Sequence, residues 1–403
     1  MRLLLACAGI LISLAAGSTA DATGLDNSSR FEELIRQGRA AFLASDPDRA
    51  ESAWQQACPA DAIAAYSVAE TVTCENLLAS VDEARGNLAR AEQRYLHAVS
   101  LAEQAGKAYQ PIYCARLVDL GEYYHRRGNT AAAGEILRKA VALARQLTVT
   151  VPDLLPKALI RLGSLDADSA HPERGRAPLM EALQSTQLPA AEVACAHNAL
   201  GKVELASGHP DAAEPYLREA VSFAEKTLGE DHPATAAYQT NLALALIAGH
   251  KPDRARLLLQ RAEFVLKSNH RAPGLELAAV CAELAGIAVN EGKMAEAEDY
   301  AMRAASILDL QPEPHIVSVA AAKVALASVY LRLHDLQSAE RILPDAVAVE
   351  RQKAVNPQTL AASIQLLAQL RAQQHDRRSA EALQREAATI AGAASAKRGP
   401  KGS

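Results

Sequence analysis

Alanine stands at Ala57, Ala98, Ala140, Ala182, Ala220, Ala262, Ala304, Ala346 and Ala387, with successive separations of 41, 42, 42, 38, 42, 42, 42 and 41 residues. Seven residues before each comes another small residue: Ala50, Ala91, Ala133, Gly175, Ala213, Ala255, Ala297, Ala339 and Ala380. Twelve further back stands a third small one: Gly38, Ala79, Gly121, Gly163, Gly201, Ala243, Ala285, Ala327 and Ala368. A repeat of this length, sustained over most of a chain of 403 residues, restricts the fold to an array of stacked supersecondary units. One unit, between Ala182 and Ala220, is shortened.

Between the first and second small positions nearly every unit carries a breaker, such as Gly86-Asn87, Gly128-Asn129, His171-Pro172, Gly208-His209-Pro210, Gly249-His250-Lys251-Pro252, Gly292, His334-Asp335 or His375-Asp376. Glycine suits the left-handed residue that closes a helix, and proline suits the first turn of the next. Each unit therefore reads as helix, tight turn, helix. Along the second helix a large residue lies between the two small ones, at Trp54, Tyr95, Leu137, Leu179, Leu217, Leu259 and Leu343, and the spacing i, i+4, i+7 puts all three on one face. The first helix must pack against that face. Alanine there sets the distance between the axes, and a larger side chain at Ala220 or Ala262 would overpack the hairpin at a cost of roughly 1–3 kcal/mol.

These residues resemble the tetratricopeptide repeat family, whose signature places Leu-Gly in the first helix and two alanines in the second at these separations. Leu228-Gly229-Glu230-Asp231-His232-Pro233, followed by Asn241-Leu242-Ala243, is similar to the longer-helix repeats of kinesin light chains. The resemblance implies an all-α fold, a right-handed α-solenoid of about nine stacked hairpins over residues 31–391, whose first helices line a concave surface. The missing aromatic partners in most first helices and the short fourth unit depart from the family pattern. The polar stretch 21–30 before the array and the tail 392–403 after it are expected to be mobile and disordered, respectively.

The chain begins with Arg2, an apolar run from Leu3 to Ala16, and small residues ending in Ser18-Thr19-Ala20. That order reads as a secretory signal over residues 1–20, so the protein is expected in the periplasm or outside the cell. No later stretch is apolar enough to suggest a membrane span. A net charge of −5, scattered basic residues and 4% aromatic content exclude the electrostatic footprint and the stacking surface of a nucleic-acid binder. Five cysteines follow the signal, widely spaced and without a CxxC motif, and Cys74 with Cys114 is the expected pair if one bridge forms, because they stand at nearly the same height on adjacent first helices.

The sequence shows no HExxH, GxSxG, P-loop or strand-borne GxGxxG, and six of its 11 histidines, His171, His209, His232, His250, His334 and His375, fall at turns. No catalytic residue, metal ligand or cofactor is assigned. Positions that the family resemblance turns inward include Glu122, His125, Lys157, Asn198, Lys202, Thr240 and Leu244, a face of mixed polarity that becomes apolar toward the C-terminal repeats. Such a groove suits an extended peptide or an amphipathic helix. The expected function is a non-enzymatic scaffold or adaptor for a protein or peptide partner. The alternative is a sensing solenoid whose shape responds to a small ligand.

Overall fold

A computed structural model describes residues 22–43, 46–59, 66–169, 171–268, 274–310, 317–352 and 355–397. Eighteen α-helices, paired in sequence order, account for the fold among them. The hairpins are α1 (Ala22–Leu43) with α2 (Pro47–Ala57), α3 (Val68–Ala84) with α4 (Leu88–Gln104), α5 (Gln110–Arg126) with α6 (Thr130–Gln146), and α7 (Leu154–Ala167) with α8 (Arg176–Ala182). There follow α9 (Ala190–Ala206) with α10 (Pro210–Leu228), α11 (Pro233–Ala248) with α12 (Pro252–Ser268), α13 (Gly274–Asn290) with α14 (Met294–Asp309), α15 (Val317–Arg332) with α16 (Leu336–Gln352), and α17 (Pro357–Gln373) with α18 (Arg377–Lys397). The fold is an all-α solenoid of helical hairpins. The shortened fourth repeat shows itself in α8, which a 3-10 turn over Pro172–Gly175 precedes.

The turns within hairpins follow one hydrogen-bonding rule. A backbone N–H just past the first helix donates five residues back, as in Asn87 to Asp82, Asn129 to Tyr124, His209 to Glu204, Lys251 to Leu246, Lys293 to Ala288, Asp335 to Tyr330 and Asp376 to Arg371. This bond closes the helix only if the residue before the donor is left-handed. Glycine takes that conformation at Gly86, Gly128, Gly208 and Gly292, and histidine takes it at His250, His334 and His375, with φ of 58°, 58° and 64°. In the Gly249-His250 turn the histidine, and not the neighbouring glycine, is the left-handed residue.

All three small positions of every repeat are buried. The packing reason is visible where the first is glycine. A Cβ on Gly38 would overlap the Trp54 ring, and one on Gly121, Gly163 or Gly201 would overlap Leu137, Leu179 or Leu217. The large residue of the second helix thus sits on the bare backbone of the first, flanked along its own helix by two alanines or their equivalent. In the first hairpin the Trp54 Nε1 also donates to the Ile35 carbonyl at 3.2 Å.

The described residues form two compact units, one from residues 22–162 with 180–192 and the other from residues 163–179 with 193–397. In the second unit an apolar cluster runs from Ala194 to Ala387, beside a small one of Ala320, Ala346 and Val349. Clusters in the first unit include one around Ile35, Trp54, Leu77 and Val81 and another around Ala79, Tyr95, Leu120 and Tyr123.

Cysteine pairing differs from the sequence expectation. Cys74 bonds to Cys58, not to Cys114, with the two Cα atoms 5.8 Å apart. Cys58 follows directly on α2, and the bond ties the end of the first hairpin to the start of the second, whereas Cys114 is buried as a free thiol. Burial pushes the Cys114 thiol up to about 12, so it is inert at neutral pH. At the flanks, the α1 backbone takes in residues 22–30, and the alanine-rich sequence after Ala387 carries α18 on to Lys397. The expected signal segment 1–20 and residues 398–403 lie outside the described residues.

Candidate functional site on the first-helix faces

In the first unit a line of buried charge crosses the first helices of four consecutive repeats. Glu83 on α3 receives the Arg126 guanidinium through both oxygens, at 2.7 and 2.6 Å. Arg126 on α5 also meets Glu122 at 3.2 Å, Arg161 on α7 donates to Glu122 at 2.9 Å, and the far edge of Arg161 grips both oxygens of Glu192 on α9 at 3.0 Å. Glu122 and Arg126 are four residues apart, which places them on one helical face. Arg161 stands two residues before Gly163 and reaches back to its neighbour's face.

Electrostatics decide the ionisation of this line. Burial raises the pKa of Glu122, but the charges of Arg161 and Arg126 outweigh it and hold the carboxyl below its ordinary range. Burial likewise opposes the charge on Arg161, and Glu122 with Glu192 reverses the shift and raises it. Glu122 and Arg161 are therefore charged, and each bidentate pair fixes the orientation of the next.

The inward positions expected from sequence fall into different environments. Glu122 is 5% exposed and committed to two arginines. His125 is half-buried and contributes to holding Glu122 ionised. Lys157 is buried, its Nζ 2.6 Å from Asp153. In the second unit the Asn198 amide oxygen accepts from Asn241 at 2.8 Å, and the Lys202 Nζ meets Asp168 at 2.5 Å. Thr240 donates to its own helix at Ala236, and Leu244 is half-buried. The structure thus brings Asn198 together with Asn241 and Glu122 with His125. It gives Lys157 and Lys202 acidic partners of their own.

Arg116, Asp119, Arg126, Arg161 and Glu192 are the first-helix residues that sequence reasoning missed. Asp119 and Arg161 share a register position, two residues before the first small residue of the repeat, and Glu283 occupies it in the second unit. That recurrence of ionisable residues beside a glycine or alanine was a readable signal. Burial alone pushes the Glu283 carboxyl up to about 7. Among the described residues no group of three or more His, Cys, Asp or Glu is placed to hold a metal, and no helix is long and apolar enough to cross a membrane.

A tetratricopeptide repeat family model matches residues 70–146 and 192–266. A search of curated proteins returns no match. Among solved structures, a Rap protein complexed with Competence and Sporulation Factor aligns over 92% of this chain and 99% of its own, at 15% identity and a TM-score of 0.61. The quorum sensor NprR from B. thuringiensis, in its apo form, aligns over 82% of this chain and 89% of its own, at 12% identity and a TM-score of 0.53, and NprR in complex with its cognate peptide NprX gives the same score. A putative kinesin light chain repeat protein of Podosopora anserina is 24% identical over 50% of this chain and 95% of its own, with a TM-score of 0.37.

Proposed function

From the premise that this chain is a tetratricopeptide repeat protein, we propose that it is an exported, non-enzymatic scaffold that holds a protein or peptide partner on its first-helix faces. The observation that carries the reading is the buried charge on the first unit's face. Buried ion pairs add little stability over apolar side chains of the same volume but fix orientation, so the line sets the polarity of the first-helix faces as well as joining the repeats. Fixed, alternating charges of this kind suit the polar groups of an extended peptide. The fold shared with NprR, which is solved with a cognate peptide, supports the same reading.

Export rests on the order of Arg2, the apolar run and Ser18-Thr19-Ala20. The Cys58–Cys74 bond supports it, since such bonds persist in oxidising compartments. A second reading, a sensing solenoid, draws on the likeness to a quorum sensor. A ligand-dependent thermal shift with no macromolecular partner would favour it.

A photo-crosslinking residue placed at His125 or Leu244, and separately at the outward-facing Leu257, tests the scaffold. The first two positions are expected to capture a partner from envelope extracts, and Asn198→Ala with Lys202→Glu to reduce capture while leaving the helical CD signal unchanged. Capture only from Leu257 would overturn the assignment of the binding face.

A further inference from the structure

The outer face of α12 is unlike that of the other second helices. Leu257 and Phe264, seven residues apart, are 68% and 60% exposed. In other repeats the position of Leu257, two after the second small residue, is taken by Ser52, Gln93, Glu135, Asp299 or Arg341, and that of Phe264 by Ser100, Ser222, Ser306 or Thr389. Ion pairs occupy both flanks of the helix. On one side Arg254 meets Glu214 at 3.2 Å and Arg261 meets Asp231 at 2.8 Å. On the other Arg256 meets Glu291 and Glu296 at 2.8 and 2.7 Å, and Glu263 takes Arg303 at 2.6 Å. The helix is thereby tied to its neighbours on both sides, and a central stripe stays open to solvent.

That stripe reads Asp253, Leu257, Gln260, Phe264 and Lys267, all exposed and spaced by 4, 3, 4 and 3 residues. Alternating steps of four and three keep one seam turned toward a partner helix, as in coiled coils. The seam also carries opposite charge at its two ends, with Asp253 in the first turn and Lys267 in the last. Asp253 has no ion pair among the described residues, and Lys267 shares Glu263 with Arg303, each at 2.6 Å.

We propose that two copies of this chain pair through α12, antiparallel about a two-fold axis at Gln260. In that register each Leu257 lies against the partner's Phe264, each Asp253 meets the partner's Lys267, and Gln260 meets its own counterpart, an amide that both donates and accepts. Antiparallel pairing also sets the two helix dipoles head to tail. A parallel pair would bring like charges together at both ends, which opposes it. The face is thus complementary to itself in shape of pattern and in charge, and a second copy is the occupant it fits. α12 buries its other face on α11 and α13, so the contact leaves the first-helix faces unused and does not depend on the scaffold reading.

A single helix face lies at the small end of specific interfaces, so a Kd on the order of 10 µM is expected. Sedimentation equilibrium of the full chain, between about 1 and 200 µM, should show a reversible equilibrium of one chain with two. Unfolding measured at about 1 µM or below then reports the single chain. Phe264→Glu should abolish the dimer. Asp253→Lys or Lys267→Asp alone should weaken it roughly fivefold, and both changes in one chain should restore it. Gln260→Cys should give a disulfide-linked dimer under mild oxidation, and Asp253→Cys should not.

All these positions are exposed, and an unchanged helical CD signal verifies each variant. The measurement on the unsubstituted chain decides the matter even if one fails to fold. A single chain at every concentration, a dimer that survives Phe264→Glu, or a double charge reversal that pairs no better than either single one overturns the proposal. Binding of the single chain through Phe264 to vesicles of phosphatidylethanolamine and phosphatidylglycerol, without self-association, also overturns it and gives the stripe to a membrane surface. Cross-links from Leu257 to a second copy bear on this pairing, and those from His125 or Leu244 to another protein bear on the scaffold, so either can fail alone.

Discussion

The two units solve the same assembly problem with different chemistry. In the unit of residues 163–179 and 193–397, one apolar cluster passes without a break through five successive hairpins, because α13 and α15 are almost wholly Ala, Leu, Val and Ile on the faces they bury. In the unit of residues 22–162 and 180–192, where α5 and α7 also bury apolar side chains, the first helices are joined in addition by Glu83, Arg126, Glu122, Arg161 and Glu192. The small-residue framework is common to both. It fixes how the two helices of a hairpin approach, and it leaves open how one hairpin recognises the next.

Apolar burial is non-directional and contributes stability in proportion to area, while a chain of bidentate ion pairs contributes orientation and little net stability. The contrast can be broken most directly at Arg161. Arg161→Met takes from the buried Glu192 its arginine, leaves Glu122 with Arg126 alone, and is expected to cost about 3–5 kcal/mol, as breaking one partner of a buried pair does. Arg161→Met with Glu192→Met should recover much of that loss. A double variant as unstable as the single one, in denaturant unfolding, would show that the line contributes stability and not only orientation.

The apolar unit should respond to volume instead. Ala262→Leu is expected to lower stability by about 1–3 kcal/mol, because a fully buried alanine has no room to grow. Leu257→Ala, on the exposed face of the same helix, should change it by less than about 0.5 kcal/mol. Equal effects at the two positions would refute the packing register.

Glu283 sharpens the comparison through pH. It takes the register position that Arg161 holds in the other unit, but burial, with no countering charge, raises its folded pKa to about 7 from 4.5. The folded state therefore holds a proton that the unfolded state has released between these values. Stability from this group is fully present below the unfolded pKa and falls as pH rises through about 7. The part-exposed side chain discounts the effect to on the order of 1 kcal/mol. Melting midpoints at pH 5 and pH 8 should differ less in Glu283→Gln than in the parent, and an unchanged difference would remove Glu283 as the cause.

The smallest effect concerns the turns. His334 is left-handed where the equivalent residues Gly86 and Gly128 are glycine, so His334→Gly should raise the thermal midpoint by the equivalent of at most about 1 kcal/mol. Gly128→His should lower it by a similar amount. Opposite signs would mean that the histidine ring supplies contacts that outweigh its backbone cost.

The hairpins were legible because three small residues per repeat leave one way for two helices to meet. Turns were legible as turns, but the left-handed residue at His250 was not, since Gly249 beside it is the conventional choice. The buried charges were half legible. Glu122 and Lys157 stand out as inward positions, yet which ions they meet depends on the neighbouring repeat and on an offset between helices that spacing alone does not give. The disulfide was misread for a related reason. Matching heights on α3 and α5 favours Cys74 with Cys114, but Cys58 lies past the end of α2, where the chain turns back toward the start of α3.

That bond has a kinetic consequence. An array whose units touch only their neighbours opens from its outer hairpins inward, with protection against amide exchange lowest at the ends. Cys58–Cys74 lets α1 and α2 peel away from α3 only as a tethered flap, which recloses at intramolecular rate. The hairpin of α17 and α18 has no such tether among the described residues. Exchange and proteolysis should accordingly be lopsided, fast from α18 and slow from α2, and treatment with a thiol reductant should make the two ends alike.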